Sequence, residues 1–464
     1  MINNSHIIAA VSTPAGVGGI AIIRLSGAGC IDLVDSVFKL NGEKRLIGQK
    51  ANTIHFGSIV DDGVIIDEVL VSIFRAPHSF TGEDVVEISC HGSVYIQQRI
   101  LQLFLSIGAL LAKPGEFTQR AFVNGKMDLS QAESVADLIA SSSASTHRLA
   151  MNQMRGGISN KLTELRADLL NFASLVELEL DFSEEDVEFA NRSKLKDLAW
   201  QIGSHIKKLA DSFKVGNAVK NGIPVAIIGE TNAGKSTLLN LLLQEEKAIV
   251  SDIHGTTRDV IEDTLNIQGI AFRLIDTAGI RDTDDEVETI GIQRTFKKIE
   301  QASIVLWLID AGVSGIHIDA LAEKILPLTQ GKKLILVYNK VDAISVDRKM
   351  DKAYLLIDKV PDQVFISAKY NSGIDDLEKM LLEAANLPNI GEQDVIITNI
   401  RHYDALQNAF SSIERVIEGL NINISGDFLA QDIRECMHYL GEITGHISDD
   451  EILGNIFSKF CIGK

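Results

Sequence analysis

Residues 229–236 read Gly-Glu-Thr-Asn-Ala-Gly-Lys-Ser, and this stretch decides the fold around it. It fits the pattern G-x-x-x-x-G-K-S, follows the apolar run 225–228 and precedes the helical run 238–243. In that context glycines let backbone N–H groups turn inward around phosphate oxygens, and the helix N-terminus adds a favourable partial charge. Lys235 is expected to reach the β- and γ-phosphates of a nucleotide, and Ser236 to ligate Mg²⁺. The predicted nucleotide contacts of this loop are Asn232, Ala233, Gly234, Lys235, Ser236 and Thr237.

Three further motifs follow apolar runs downstream of this loop. Asp-Thr-Ala-Gly at 276–279 offers an acid that can hold Mg²⁺ through water and a glycine N–H for the γ-phosphate. Asn-Lys-Val-Asp at 339–342 offers a carboxylate that can accept the N1 and N2 hydrogens of guanine, a pair that adenine lacks, so ATP is expected to be rejected. Ser-Ala-Lys at 367–369 can supply a backbone N–H to guanine O6. The four motifs predict a GTP-binding domain with further contacts at Asp276, Thr277, Ala278, Gly279, Asn339, Lys340, Asp342, Ser367, Ala368 and Lys369.

These motifs leave open which group orients the hydrolytic water. Many small GTPases carry glutamine directly after the Asp-x-x-Gly motif, whereas this chain has Ile280 there, which cannot orient water. Either hydrolysis is slow or another group positions the water. Residues 282–288 contain five acids, which fit either a solvated loop or a water-orienting one. Arg258 and Arg281 lie near the switch regions, but the sequence assigns neither as an arginine finger.

The wider pattern predicts an α/β domain inserted into a helical one. Apolar strands alternate with amphipathic helices between Pro224 and Pro388, which indicates a mostly parallel sheet. Apolar residues recur at steps of three and four over 151–176, which predicts one long helix, and again over 402–440. Residues 1–120 combine glycine-rich turns with β-like runs, which indicates an α+β domain. The strands predicted between the two prolines are 272–276, 304–309, 334–338 and 364–367.

Composition sets outer limits on fold and function. The 464 residues suggest about three domains, and an apolar content of 45% excludes an intrinsically disordered chain. The net charge of −19 excludes an overall basic nucleic-acid binder, although a local basic face stays open. The four cysteines form no C-x-x-C pair, which favours a reduced, cytoplasmic protein over a zinc or disulfide framework. No apolar run reaches the length of a membrane span.

Five strings carry a family resemblance over essentially the whole chain: Gly-Thr-Thr-Arg-Asp at 255–259, Asp-Thr-Ala-Gly-Ile-Arg at 276–281, Ser-Phe-Thr-Gly-Glu-Asp-Val-Val-Glu at 79–87, Pro-Gly-Glu-Phe at 114–117 and Cys-Ile-Gly-Lys at 461–464. The chain resembles the bacterial tRNA modification GTPases called MnmE or TrmE, which belong to the TrmE-Era-EngA-like GTPases. The resemblance implies a multidomain α/β and α fold. Its parts are an α+β N-terminal domain over 1–120 that binds tetrahydrofolate and dimerises, a discontinuous helical-bundle domain over 121–219 and 386–464, and an inserted Ras-like P-loop GTPase domain over 220–385.

The resemblance implies an activity and partners. With the flavoprotein MnmG, which carries FAD, family members add an aminomethyl or carboxymethylaminomethyl group at carbon 5 of the wobble uridine of certain tRNAs. The implied one-carbon donor is a reduced folate, either 5,10-methylene- or 5-formyl-tetrahydrofolate, and glycine or ammonium supplies the nitrogen. The implied assembly is a homodimer that joins MnmG in a heterotetramer, acting on tRNA in the cytoplasm without a membrane.

The resemblance also implies a potassium-dependent GTPase whose GTPase domains face each other. Thr257 corresponds to the switch threonine that joins Ser236 on Mg²⁺, and Glu288 to the carboxylate that orients water. A potassium ion beside the phosphates can take the charge role of an arginine finger. The implied potassium ligands are Asn232, Ser251, Ile253 and Thr256. The implied GTP contacts of this region are Ser251, Asp252, Ile253, His254, Gly255, Thr256 and Thr257, and the implied catalytic residues are Glu288, Lys235 and Cys461.

Four residues correspond to the family's folate contacts: Arg24, Glu87, Lys126 and Lys464. Arg24 and the lysines can pair with folate carboxylates, and Glu87 can accept from pterin N–H groups. Arg24 and Glu87 also suit an ordinary surface ion pair. Cys461 corresponds to a cysteine suspected in the modification chemistry, and its role stays open between a thiolate nucleophile and a small packed side chain.

Two other functions stay open at this point. A ribosome-assembly GTPase would use the same GTPase domain as a switch without modification chemistry. The residues after that domain predict amphipathic helix rather than a G-x-x-G clamp in a basic setting, which disfavours an RNA-binding module there. A folate-binding scaffold with a vestigial GTPase is the second alternative, and the intact Lys235, Ser236, Thr257 and Asp342 argue against it.

Overall fold

The computed structural model describes residues 6–40, 45–181, 192–247, 263–275, 299–312, 315–344, 360–386, 394–447, 450–458 and 460–463. The chain divides into two compact units. Unit 1 comprises Met1–Ala140, Ala150–Ala210 and Arg401–Lys464, and unit 2 comprises Ser141–Leu149 and Asp211–Ile400. The finer division into three domains, with boundaries after residues 120, 219 and 385, stays a prediction.

Unit 1 contains a seven-stranded sheet in the order β3-β4-β5-β6-β2-β1-β7. All neighbouring pairs are antiparallel except β1 and β7, which are parallel. Helices α1 and α2 cover one face, and their apolar residues share a core with alternate residues of β5, such as Val69 and Val71. This confirms the α+β fold predicted for the first part of the chain. The strands are β1 (Ile8–Val11), β2 (Ile20–Ser26), β3 (Phe38–Leu40), β4 (Thr53–Asp61), β5 (Val64–Phe74), β6 (Val85–His91) and β7 (Leu110–Leu111).

The single helix predicted over 151–176 is wrong, because two helices occupy that stretch. One ends at Met154 and the next begins at Gly157, since Gly156 adopts a φ of 86° that a continuing α-helix cannot have. None of the described helices is both long and apolar enough to cross a membrane. The helices are α1 (Cys30–Val37), α2 (Val94–Ser106), α3 (Glu116–Val123), α4 (Leu129–Ile139), α5 (Ala144–Met154), α6 (Gly157–Asp181), α7 (Arg192–Asn221), α8 (Lys235–Lys247), α9 (Gly315–Ile325), α10 (Ile374–Ala385), α11 (Ile400–Asn421), α12 (Gly426–Thr444) and α13 (Asp450–Ser458).

A buried cluster of charges joins three helices of unit 1. Glu133 of α4 pairs with Arg401 of α11 at 2.9 Å and with His402 of α11 at 2.7 Å. Arg401 Nη1 also donates to the carbonyl oxygen of Glu442 on α12 at 2.7 Å. Burial alone would raise the pKa of Glu133, but the His402 charge and the hydrogen bonds from His402 and Arg401 outweigh burial and lower that pKa to about 2. These contacts fix how α4, α11 and α12 align.

Unit 2 is built on a six-stranded sheet in the order β13-β12-β11-β8-β10-β9. Only β9 runs antiparallel to its neighbour, which confirms the mostly parallel α/β fold. The sequence did not predict β9, an edge strand of alternating polar and apolar residues. The carboxyl ends of parallel strands form the binding edge of such sheets. The strands are β8 (Ile223–Gly229), β9 (Asp263–Ile267), β10 (Ile270–Leu274), β11 (Ile304–Asp310), β12 (Lys333–Asn339) and β13 (Gln363–Phe365).

The two ends of the long segment of unit 2 lie together. The hydroxyl of Ser212, in α7, accepts a hydrogen bond from the backbone N–H of Ile397 at 3.0 Å. Gly216 lies one turn further along α7, where the carbonyl of Ile397 approaches too closely for any Cβ. A domain whose ends meet can be inserted into another without separating the flanking residues.

Candidate functional site

The phosphate loop connects the end of β8 to the first turn of α8. Gly229 has a φ of 148°, and a Cβ at this position would collide with the carbonyl oxygen of Leu308 on β11. Asn232 and Gly234 have φ values of 65° and 96°, in the region that asparagine and glycine tolerate best. These conformations fold the loop over the start of α8 at Lys235, as the sequence predicts.

The inside of this loop has the donors that a polyphosphate needs. The N–H groups of Asn232 and Gly234 have no hydrogen-bond partner within the described part of the chain. Lys235 Nζ donates to the carbonyl oxygens of Gly229 and Glu230, both at 2.8 Å, so the ammonium group lies across the loop. A phosphate oxygen is a stronger, charged acceptor than either carbonyl and would attract this ammonium.

Asn339, at the end of β12, joins the phosphate loop to the loop at 367–369. Its Nδ2 donates to the carbonyl of Ala233 at 2.8 Å, and its Oδ1 accepts from the N–H of Ala368 at 3.0 Å. The side chain is only 2% exposed. One amide therefore sets the separation between the predicted phosphate contacts and the predicted guanine contacts. The sequence placed Asn339 in the site but did not predict this bridging role.

The two motifs predicted to contact guanine, 339–342 and 367–369, lie close together. The carboxylate of Asp342 accepts a hydrogen bond from Ser367 Oγ at 2.6 Å. Lys340 has a φ of 64° and pairs with Asp310 of β11 at 2.9 Å. Asp310 is a residue that sequence reasoning missed, because nothing near it in the chain forms a motif. Its other oxygen accepts from the N–H of Gly312, which fixes the carboxylate toward Lys340.

Ser236 fits a role as an Mg²⁺ ligand, since its hydroxyl is exposed on the first turn of α8 next to Lys235. Thr237 is exposed on the same turn. Within the described residues, no group of three histidine, cysteine or acidic side chains forms a separate metal site. The remaining predicted residues of this site lie outside the described residues: Ser251, Asp252, Ile253, His254, Gly255, Thr256, Thr257, Asp276, Thr277, Ala278, Gly279 and Glu288.

A second candidate site lies on the sheet of unit 1. Arg24 on β2 and Glu87 on β6 are partners in register, and their side chains form an ion pair at 2.7 Å. The guanidinium also lies over the rings of Phe80 and Phe117, at 5.6 and 5.7 Å from their centroids. Because Arg24 and Glu87 touch, both can contact only one end of a folate, whereas the sequence-based roles place them at opposite ends. Sequence reasoning missed Phe80 and Phe117, although both lie in strings that carry the resemblance.

The string at 79–87 is explained by the contacts that hold this site. Glu83 pairs with Arg120 at 3.0 Å and accepts a hydrogen bond from Ser26 at 2.7 Å. Arg120 is 1% exposed and also binds Glu116 at 3.0 Å. Lys126 Nζ donates to the carbonyl of Pro77 at 2.9 Å, next to the same loop. The loop that carries Phe80 is therefore fastened from inside the unit.

Residues 460–463 pack against the first strand of unit 1. The hydroxyl of Ser12, which follows β1, donates to the carbonyl of Gly463 at 3.0 Å, and the N–H of Gly115 donates to the carbonyl of Cys461 at 3.4 Å. The N–H of Ser12 in turn donates to the carbonyl of Ile22, two positions from Arg24 on β2. Cys461 is thus held near the second site, whereas Lys464 lies outside the described residues.

Only one cysteine is exposed. Burial raises the pKa of Cys90 to about 11 and that of Cys436 to about 12, and it raises the pKa of Cys30 further still. These three buried thiols stay protonated at neutral pH and cannot act as thiolates. Cys461 is exposed and free, which leaves it as the candidate nucleophile.

Comparisons with known proteins cover the whole chain. A family model described as "GTP-binding protein TrmE N-terminus" matches residues 7–126, and one described as "MnmE helical domain" matches residues 129–461. The tRNA modification GTPase MnmE of Bacteroides thetaiotaomicron is 58% identical over 465 residues, covering 99% of this chain and 100% of that protein. The proteins of the same name from Parabacteroides distasonis and Flavobacterium johnsoniae are 56% and 53% identical, over 98% and 100% of this chain and 99% and 100% of their own lengths.

Proposed function

Because the chain belongs to the MnmE family of tRNA modification GTPases, we propose that it uses GTP hydrolysis to drive modification of the wobble uridine of certain tRNAs. It is a GTPase. In the proposed reaction it acts with the flavoprotein MnmG, which holds FAD, to add a carboxymethylaminomethyl or aminomethyl group at carbon 5. The carbon comes from a reduced folate, and glycine or ammonium supplies the nitrogen. The proposed domains are 1–120 for folate and dimerisation, 121–219 with 386–464 for the helical bundle, and 220–385 for GTP.

The observation that carries this proposal is the attachment of residues 460–463 beside the Arg24–Glu87 pair. Two parts of the chain separated by more than 430 residues meet at one end of β1 and β2. The site combines a cation, a carboxylate, the partly exposed ring of Phe80 and an exposed thiol. The pterin end of a folate needs two of these groups, a ring surface for stacking and an acceptor for its N–H groups, and Lys126 and Lys464 are left to pair with its carboxylates. A GTPase that only switches between two states needs none of them.

For hydrolysis we assign the charge-neutralising role to potassium held by Asn232 and by backbone oxygens of Ser251, Ile253 and Thr256. Asn232 supports this role because its backbone, at a φ of 65°, holds an exposed side chain at the edge of the phosphate loop. Mg²⁺ held by Ser236 and Thr257 would withdraw charge from the phosphates, and Glu288 would orient the attacking water in place of Ile280. Asn232→Ala should lose the stimulation by K⁺ over Na⁺ while nucleotide affinity changes little; equal stimulation in both proteins would remove this assignment.

The proposed homodimer forms through the exposed face of the unit 1 sheet. Phe56 and Leu70 are neighbours in register on β4 and β5, and both are about half exposed. Ile54, two residues from Phe56, heads a cross-strand row that continues through Ser72 to Glu87 and Arg24. An apolar patch next to charged site residues is typical of an interface that completes a binding site. The resulting dimer would join MnmG in a heterotetramer.

Folate binding tests the proposal most directly. We would measure equilibrium binding of 5-formyltetrahydrofolate to the full chain, to Glu87→Ala and to a chain without Lys464. Glu68→Ala is the matched control, because Glu68 is an exposed carboxylate on neighbouring β5. The proposal expects binding to the wild type and the control, and its loss in the other two variants. GTP hydrolysis without any folate binding would contradict it and favour a GTPase switch.

A further inference from the structure

Helix α7 is strongly basic within an acidic chain. It has seven lysine and arginine residues against two aspartates, whereas the whole chain has a net charge of −19. No other described helix has more than one base in excess of its acids. Overall composition does not explain why so many positive charges lie on one helix, and a local concentration of positive charge is typical of a surface that binds an anionic partner.

The apolar side of α7 is already used in the core of unit 1. Leu195, Ala199, Ile202 and Ile206 are each at most 2% exposed. A Cβ at Gly203 would lie 3.4 Å from Ile413 Cγ2, so this side of α7 faces α11. A helix that lies on a membrane inserts its apolar side, and here that side is occupied. Only the charged side of α7 is left for a partner.

The charged side of α7 combines lysines with an exposed tryptophan. Lys196, Trp200 and Lys207 lie along one stripe of the helix, because their spacings of four and seven residues repeat the helical turn. Trp200 is 62% exposed, whereas Trp307, the other tryptophan, is 1% exposed. An exposed indole next to lysines suits a binding surface, because tryptophan is enriched among the residues that contribute most to binding.

Among the residues that the structure describes, the lysines on this side have no carboxylate partners. None of Lys194, Lys196, Lys207 and Lys208 forms an ion pair with the described residues. Lys207 Nζ lies 5.6 Å from the ring centroid of Phe410, which orients it without neutralising it. Within the described residues, α7 itself carries Asp197 and Asp211, and Glu164 of α6 is close enough to His205 of α7 to sense its charge.

We propose that the charged side of α7, comprising Lys194, Lys196, Trp200, Lys207 and Lys208, binds tRNA. The lysines pair with backbone phosphates along roughly 21 Å of helix, and Trp200 stacks on an unpaired base or on the end of a stem. A protein partner would demand a broader apolar centre than one indole. This inference rests on the proposed function for its choice of tRNA among polyanions.

The test compares two double charge reversals in the full chain. Lys207→Glu with Lys208→Glu alters the proposed surface. Lys324→Glu with Lys379→Glu makes the same charge change at exposed positions of α9 and α10, and serves as the matched control. Binding of a tRNA transcript with an unmodified wobble uridine is measured between 50 and 200 mM NaCl.

If four lysines each hold one phosphate, wild-type affinity falls about 150-fold over this range, and that of the surface variant only about 12-fold. The control should follow the wild type. Trp200→Ala should weaken binding about fivefold or more, and Trp200→Phe less, because a ring remains to stack. Equal salt slopes in the two double variants would overturn the proposal, and so would a wild-type chain that does not bind the transcript at 50 mM.

Trp200 also reports the contact directly, because Trp307 is shielded from aqueous quenchers. Saturating tRNA should protect the Trp200 fluorescence from acrylamide. Polyglutamate at equal charge should not, and equal protection by it would overturn the choice of tRNA. GTP turnover and the thermal unfolding curve of every variant should match those of the wild type, which shows that both units are folded. Uridine modification in the presence of MnmG tests the proposed function separately. If the surface variant binds tRNA and supports modification as the wild type does, the α7 site is refuted and the proposed function is not.

Discussion

Replacing Asn339 by alanine tests the claim that one side chain links phosphate and guanine recognition. The substitution removes the hydrogen bond to the carbonyl of Ala233 at 2.8 Å and the one from the N–H of Ala368 at 3.0 Å. Both backbone groups belong to buried residues, and water has little access to them. The cost therefore comes from leaving two buried polar groups without partners.

The size of the effect follows from that count. An unpaired buried polar group costs about 1–3 kcal/mol, so the free energy of unfolding of unit 2 should fall by about 2–6 kcal/mol if the loops stay in place. Movement of the loops relieves part of this cost, but GTP must then restore their separation on binding. If about 1–3 kcal/mol of the loss appears in binding, the Kd for GTP rises about 5- to 150-fold.

Nucleotide titration with a fluorescent GTP analogue and urea denaturation measure the two quantities on the same preparation. Asn240→Ala is the control, because it removes the same side chain from an exposed position on α8. Asn339→Asp should be at least as damaging as Asn339→Ala, since a carboxylate would face the carbonyl of Ala233. A folded Asn339→Ala protein with a Kd within twofold of the wild type would refute the bridging role.

Three other predictions follow from single positions. Gly463→Ala should abolish folate binding and leave GTP hydrolysis unchanged, because Gly463 has a φ of 95° and a Cβ there would collide with the carbonyl of Val11. Gly454→Ala, at a position with open space around it, is the control. Folate binding retained by Gly463→Ala would show that the attachment of residues 460–463 is not needed. The pKa of Glu133 is lowered to about 2, so its contribution of about 3 kcal/mol to the free energy of unfolding is present above about pH 4.5 and is lost as the pH falls toward 2. Urea denaturation of the wild type at several pH values between 5 and 3 should show the free energy of unfolding falling with pH, and an equal fall in Glu133→Gln would contradict this prediction. Gly234→Ala should lower GTP affinity at least a hundredfold, because its Cβ would meet Asn339 Nδ2 at a φ of 96°; affinity within tenfold of the wild type would show that the loop adapts.

Local patterns predicted the GTP-binding unit well. The phosphate loop combines a strand, a turn with special φ values and a helix start, all within about fifteen residues, so its sequence contains the whole device. The strands at β11 and β12 are continuous apolar runs because both faces of a parallel sheet are buried. The edge strand β9 has no continuous apolar run, because polar residues alternate with apolar ones along it, and it was therefore not predicted. The break between α5 and α6 at Gly156 was not predicted, because the apolar periodicity of the sequence continues across it and gives no information on the φ of one residue.

Contacts between distant parts of the chain could not be predicted from local patterns. Glu133 and His402 are 269 residues apart, and neither lies in a motif. Asp310 acquires its role only when β11 and β12 lie side by side. The ion pair between Arg24 and Glu87 depends on a register between β2 and β6 that the sequence does not state. Only the family resemblance singled out these two residues, and it did so without revealing that they touch.

The meeting of Ser212 with Ile397 has a consequence for the order in which the chain folds. The contact between Glu133 and Arg401 closes a loop of 268 residues. If residues 211–400 fold first and bring their ends together, the flexible part of that loop shrinks to roughly 80 residues, and the entropy cost of closing it falls by about 1 kcal/mol. Early folding of the GTP-binding unit therefore speeds completion of unit 1, whose segments flank it in the chain. A mutation that slows folding of unit 2 should delay that of unit 1, although it touches none of the residues of unit 1.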